Sequence, residues 1–219
     1  MKKLIALGIC IMIFATGAFA MDMAFGGGGL FNASWTNGSV SNIIWNDPDM
    51  GPIPVDELKL NLSRQGFGGF IFFGFGRYAE LNLGFMYKNP KKIKVTATVG
   101  GYTESAEEDV SNYIEGTLAM QFGIYFKYPF VMSDRLVLFP TGGIDYELSL
   151  ADTVDGWWDD LWIRGGVGLD VFFNQNSFVR IHALYGFGIV VGGDEMIWSD
   201  FDSYYSHGML VKVGVGFMF

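Results

Sequence analysis

Through most of this chain apolar residues recur at every second position, and that period decides what it can fold into. From Ile114 to Phe126, the clearest stretch, Ile114, Gly116, Leu118, Met120, Phe122, Ile124 and Phe126 share one phase, while Glu115, Thr117, Ala119, Gln121 and Gly123 share the other. A strand alternates its side chains with period two, whereas a helix needs about 3.6. Seven more segments follow the same rule: Asp22 to Trp35, Gly66 to Gly76, Ala79 to Tyr87, Leu136 to Leu148, Leu161 to Phe173, Val179 to Val191 and His207 to Phe219. The second of these is aromatic in both phases, which leaves its inward face open. Half the residues (50%) are hydrophobic and 17% are aromatic. Beyond Ala20 there is still no run of about 18 apolar residues, the minimum for a spanning helix. Strands with one apolar and one polar face suit a wall between lipid and a narrow polar interior. A soluble lipocalin-like barrel would need the opposite arrangement, with its apolar face turned in.

The connections alternate in length. Gly76 to Tyr78, Pro129 to Asp134 and Asn174 to Ser177 are short, whereas Thr36 to Gln65, Lys88 to Tyr113, Ala151 to Asp160 and Gly192 to Ser206 are long. Short turns on one rim and long loops on the other are the pattern of a barrel with periplasmic turns and extracellular loops. Glu57 to Ser63 and Ile93 to Val99 also alternate. They either prolong strands two and three or add two strands, for a ten-stranded barrel. Trp35, Tyr87, Trp158, Trp162, Trp198 and Tyr204 gather near the long-loop ends, and Tyr78, Tyr128, Phe130, Phe173 and Phe219 near the short-turn ends, where interface girdles belong.

Residues 1–20 read as a cleaved secretory signal peptide: Met1-Lys2-Lys3, an apolar stretch from Leu4 to Phe14, then Ala18-Phe19-Ala20. The bulk of Ile9 speaks against a lipoprotein reading of Leu7-Gly8-Ile9-Cys10. Cys10 is the sole cysteine, so the mature chain holds no disulfide. Residues 21–219 then form one domain, the barrel. Losing Lys2 and Lys3 takes the formal charge of −9 to −11, which argues against nucleic acid as a partner.

The chain's final run carries a resemblance. Lys212, then Gly214, then Phe217 and Phe219 resemble the C-terminal assembly signal of bacterial outer-membrane proteins, which implies recognition by the barrel-assembly machinery and periplasmic chaperones. With eight alternating segments, the whole mature chain resembles the small eight-stranded up-and-down antiparallel barrels of the OmpA/OmpX/OmpW type. Arg77-Tyr78-Ala79-Glu80-Leu81-Asn82 and the acidic body are similar to spirochaete, especially treponemal, outer-membrane barrels. The resemblance implies an all-β monomer embedded in outer-membrane lipid after export, with loops that meet the exterior or a host ligand. An alternative is a small porin-like or OmpW-like channel, for which Gly26 to Gly29 beside Phe67, Phe70, Phe72, Phe73 and Phe75 would supply a lateral seam. The other alternative is a lipid-modifying enzyme.

The inward phase predicts a lumen ion-pair network of Glu80, Glu115, Asp145, Glu147, Arg164, Asp170, Arg180, His182 and Lys212. Both signs are present, as buried charge requires. His182 reads as an interior histidine with its hydrogen bonds met rather than as a base. His207 beside Ser206 is the one approach to a nucleophile and base, but adjacent strand residues point to opposite faces. No catalytic residue, cofactor or metal ligand set is therefore expected. The long loops are acidic, which reads as a solvated face, and Trp157, Trp158 and Trp198 among those acids are candidate contact anchors.

Overall fold

The computed structural model describes residues 23–47, 51–150, 159–192 and 203–219. The strands are β1 (Met23–Asp47), β2 (Gly51–Phe75), β3 (Ala79–Val99), β4 (Tyr102–Asp109), β5 (Thr117–Lys127), β6 (Phe130–Ser133), β7 (Leu136–Ser149), β8 (Asp159–Phe172), β9 (Ser177–Gly192) and β10 (Ser203–Met218). Every pairing is antiparallel. They run β2–β1–β10–β9–β8–β7–β5–β3, and β3 pairs back onto β2, so this ring has no free edge.

The period in the sequence predicts eight strands; among the described residues there are ten. The additions are β4, which pairs only with β3 beyond the ring, and β6, which pairs with β7 inside the Pro129 to Asp134 connection. Neither announces itself. The β4 sequence, Tyr-Thr-Glu-Ser-Ala-Glu-Glu-Asp, is exposed throughout and has no apolar phase, and β6 is only four residues long. Glu57 to Ser63 and Ile93 to Val99 prolong β2 and β3 and pair with each other.

These prolonged strands give the molecule a second part. β1 follows β10 as far as Ser39↔Ser203, then continues beside β2 to Asp47↔Gly51. β1, β2, β3 and β4 thus rise past the ring as a four-stranded paddle. Its tip hairpin turns on Gly100 (φ +57°) and Gly101 (φ +81°), a backbone that side chains with a Cβ resist. At the base of the paddle, Ser63 pairs with Lys92 and Arg64 with Pro90, leaving Lys91 as an extra residue. One extra residue reverses a strand's phase. Lys88, below the bulge, is buried in the lumen; Lys92 and Lys94, above it, are exposed and share the outer face with Ser63 and Asn61.

Outside, the ring is apolar. Phe73, Leu81, Phe122, Ile124, Ile144, Ile163, Phe187, Val213 and Val215 are all exposed. Inside, Leu30, Phe70, Phe72, Met86, Tyr125, Phe178 and Leu210 pack between charged rows.

Candidate functional site

The ring's inward phase collects the chemistry. Six cations (Arg64, Lys88, Lys127, Arg164, Arg180 and Lys212) meet five carboxylates (Glu80, Asp145, Glu147, Asp160 and Asp170), all within the wall. Burying such groups is tolerable only in pairs, and they form two clusters.

The first lies at the short-turn end. Arg180 grips Asp170 with two parallel bonds, Nε to Oδ1 and Nη2 to Oδ2, each 2.6 Å. Its Nη1 donates to Glu80 Oε2. Lys127 Nζ reaches the same oxygen at 3.1 Å, and Asn82 Nδ2 donates to Glu80 Oε1 at 2.9 Å. The Arg180 guanidinium also lies over Phe72 (4.5 Å), Phe178 (4.8 Å) and Phe139 (5.4 Å), contacts that favour a cation. Asp170 and Arg180 are register partners on β8 and β9, but Glu80 sits on β3, across the ring. The bond therefore braces opposite walls. A cavity of about 470 Å³ opens at this mouth and ends on Arg180, Asp170 and Lys127.

The second cluster lies at the long-loop end. Glu147 accepts from Lys88 Nζ and, at 2.8 Å, from Arg164 Nη2. Arg164 Nε is 2.8 Å from Asp145 Oδ2 as a charge contact rather than an aligned hydrogen bond. Asp160 lies 3.5 Å from Arg64 Nη2 and 3.8 Å from Lys88 Nζ. Arg64 also donates to Thr36 Oγ1 at 2.8 Å, and Thr36 meets Ser206 Oγ at 2.8 Å. Between the clusters, Lys212 Nζ is 3.3 Å from Asn82 Oδ1 and 4.8 Å from the Tyr125 ring, whose hydroxyl donates to Asp145. Removing that donor by Tyr125→Phe leaves Asp145, among the described residues, with its Arg164 contact. It should cost about 1–3 kcal/mol, read as a lower urea midpoint for the refolded protein in detergent; an unmoved midpoint would show the hydroxyl to be dispensable.

Of the residues the sequence nominates, Glu80, Asp145, Glu147, Arg164, Asp170, Arg180, His182 and Lys212 all lie inside the ring. Glu115 does not, and that expectation is corrected. β5 begins only at Thr117, and Glu115 is exposed in the connection before it. Trp162 also leaves its assigned place in the outer girdle. It shares the phase of Arg164, is fully buried, and stacks 4.1 Å from the Arg164 guanidinium. His182 is interior, edge-on to Phe139 at 5.2 Å, but neither ring nitrogen has a hydrogen-bond partner among the described residues. Ser206 points inward, while His207 points outward, where Nδ1 meets the Tyr185 hydroxyl at 2.8 Å and the ring stacks on Trp35 at 5.5 Å. That pair cannot act together. Trp157, Trp158, Trp198 and the signal segment lie outside the described residues.

Of the terminal run, Lys212 is buried inside and Gly214 packs against Gly27 and Phe70. Phe217 pairs with Phe25 on the outer wall. Phe219 is exposed past the strand, but its backbone bonds Met23 at 2.9 Å.

The sequence reading omits Arg64, Lys88, Lys127 and Asp160. Each continues the inward phase of a strand (Lys88 after Glu80, Asn82, Gly84 and Met86, for example) by one or two residues past the boundary drawn from apolar alternation.

No family model and no curated protein matches the chain. Among solved structures, it is similar to the outer membrane protein OprG from Pseudomonas aeruginosa, at 13% identity over 91% of this chain and 96% of that one, with a TM-score of 0.44. It is also similar to the outer membrane protease OmpT from Escherichia coli, at 7% identity over 90% and 96%, TM-score 0.41. A third is the translocator domain of autotransporter NalP from Neisseria meningitidis, at 15% identity over 99% and 96%, TM-score 0.25. The barrel itself is established by this chain's own strand pairings.

Proposed function

We propose that this chain is an integral bacterial outer-membrane barrel, exported by its signal peptide, whose ring is a closed scaffold and whose β1–β4 paddle and long loops face the exterior. The observation that carries this is the inversion of the wall. Large apolar side chains such as Phe126, Ile163 and Phe187 are more than 60% exposed outside, while Arg164, Asp145 and Lys212 are fully enclosed. Water would reward the reverse; a bilayer rewards this. Within that class we place it with small monomeric OmpA/OmpX/OmpW-type barrels and their spirochaete counterparts, on the C-terminal run and the Arg77–Asn82 segment. The short turns then lie in the periplasm, where chaperones and the assembly machinery would read Lys212, Gly214, Phe217 and Phe219.

A scaffold is favoured over a channel because both ends of the lumen are crossed by ion pairs. The lateral seam is disfavoured as well: Gly26 to Gly29 do lie beside Phe72, Ile71, Phe70 and Gly69, but the β1–β2 ladder runs through them without a break. The test is single-channel recording of the refolded mature protein in planar bilayers, after heat-modifiable migration on a gel confirms folding. The expected result is a folded, silent barrel. Steady openings altered by Arg164→Ala or Lys212→Ala would establish the channel reading instead.

A further inference from the structure

Just above the apolar wall, the outer face of the sheet changes character abruptly. A row of β10, β1, β2 and β3 runs Tyr205–Asn37–Asn61–Lys94, and the row above it runs Ser39–Lys59–Thr96 on β1, β2 and β3. Asn37, Ser39, Lys59, Asn61, Lys94 and Tyr205 line a cavity of about 460 Å³ on that face. Asn61 Nδ2 donates to Asn37 Oδ1 at 2.5 Å, which fixes the amides side by side. Lys59 has an exposed pair with Glu57 at 2.8 Å, and Lys94 has no ion pair within 4 Å among the described residues, although its register partner on β4 is Glu107. Lys92 adjoins them, tied to Glu107 at 2.6 Å. The carboxylate is held below its usual pKa chiefly by that hydrogen bond, so the pair is fully charged at neutral pH.

The patch is continuous with the belt beneath it. Tyr205 lines the cavity and also sits 6.2 Å from His207, which stacks on Trp35 and meets the Tyr185 hydroxyl. Amphipathic aromatics of this kind settle at headgroup level, so the lysines stand directly over the depth at which lipid phosphates lie. Ammonium groups with amide and hydroxyl donors suit a phosphate, and basic pockets at that depth hold lipid headgroups. The lysines are there because of the bulge at Lys91: without it, Lys92 and Lys94 would face the mouth of the barrel.

We propose that Lys59 and Lys94, with Asn37, Asn61 and Tyr205, form a binding site for the phosphate of an outer-leaflet lipid headgroup whose acyl chains lie along the apolar wall below. This rests on the membrane placement proposed above. The test is native mass spectrometry of refolded protein in zwitterionic detergent with phosphatidylglycerol or phosphatidylcholine added at equal concentration, alongside folding into vesicles of each lipid. Wild type should retain phosphatidylglycerol in preference, and Lys59→Gln/Lys94→Gln should reduce that preference about tenfold, from roughly fivefold per lysine discounted for the Glu57 pair, while still folding. Equal retention of the two lipids by wild type, or an unchanged preference in the double variant, would overturn the site while leaving the barrel reading intact. Loss of phosphatidylglycerol to millimolar glycerol 3-phosphate would show a soluble-phosphate site and overturn the lipid assignment. Failure of the chain to enter vesicles of either composition would overturn the membrane reading and the site with it.

Discussion

Arg180→Ala should destabilise the folded barrel by about 3–5 kcal/mol, because it strands the buried Asp170 carboxylate and weakens the pairing of Glu80. Glu80 would keep Lys127 and Asn82, but Asp170 would lose both of its charge-assisted bonds. The truncation also removes the cation lying over Phe72 and Phe178. Equilibrium urea unfolding of the refolded protein in detergent reads the change directly. An Asp170→Asn/Arg180→Met variant, which removes that ion pair together and leaves Glu80 to Lys127 and Asn82, should recover most of the loss, since the penalty comes from the unpaired ion rather than from the missing contacts. Arg164→Ala should act in the same way on Glu147 and Asp145. If both alanine variants unfold at the wild-type urea concentration, the lumen charges do not brace the ring.

Gly28→Val should yield no folded barrel, while Gly29→Val, one residue on, should fold. Valine favours strands, so propensity alone would make both acceptable. The two positions differ in what lies beside them. A Cβ at Gly28 points inward against the backbone of Val213 and Gly214, with the Val213 carbonyl carbon only 2.8 Å away. Backbone in the β1–β10 ladder cannot move aside without breaking ring closure. A Cβ at Gly29 points outward, and its nearest neighbour is the Gly68 carbonyl oxygen at 3.9 Å. Gel migration with and without heating separates the outcomes. A heat-modifiable Gly28→Val band would mean that the β1–β10 approach is looser than it appears.

The architecture was legible because alternation carries both strand and face: Asp145 and Glu147 lie inside for the same reason that Ile144 and Tyr146 lie outside. The pattern is silent where that signal weakens. Apolar alternation marks the strand boundaries, so Lys88 and Asp160, polar and just outside it, fall in the connections although they keep the inward phase. Glu115 shows the reverse: alternation runs on to Ile114, three residues before β5 starts at Thr117. Trp162 shows that the phase of a tryptophan outranks its position near a rim: stacked on Arg164, it belongs to the lumen. The partners of Arg64 depend on how the ring closes, because Asp160 and Thr36 lie on β8 and β1. Partner identity across a ring is a tertiary fact, set by closure rather than by local pattern.

The cross-ring bonds also impose a timetable on biogenesis. Glu80 and Arg180 are 100 residues apart in the chain, and Asn82 and Lys212 are 130 apart. The first half supplies Arg64, Glu80 and Lys88; their counterparts Glu147, Asp160 and Arg180 all belong to the second half. A nascent sheet made of the early strands therefore carries charges that nothing local neutralises, and a bilayer would resist it. Neutrality arrives only with the late strands, so on the membrane placement proposed above insertion and closure would be a single event. On that placement, a partly built wall would have to stay in water until the last strand is available.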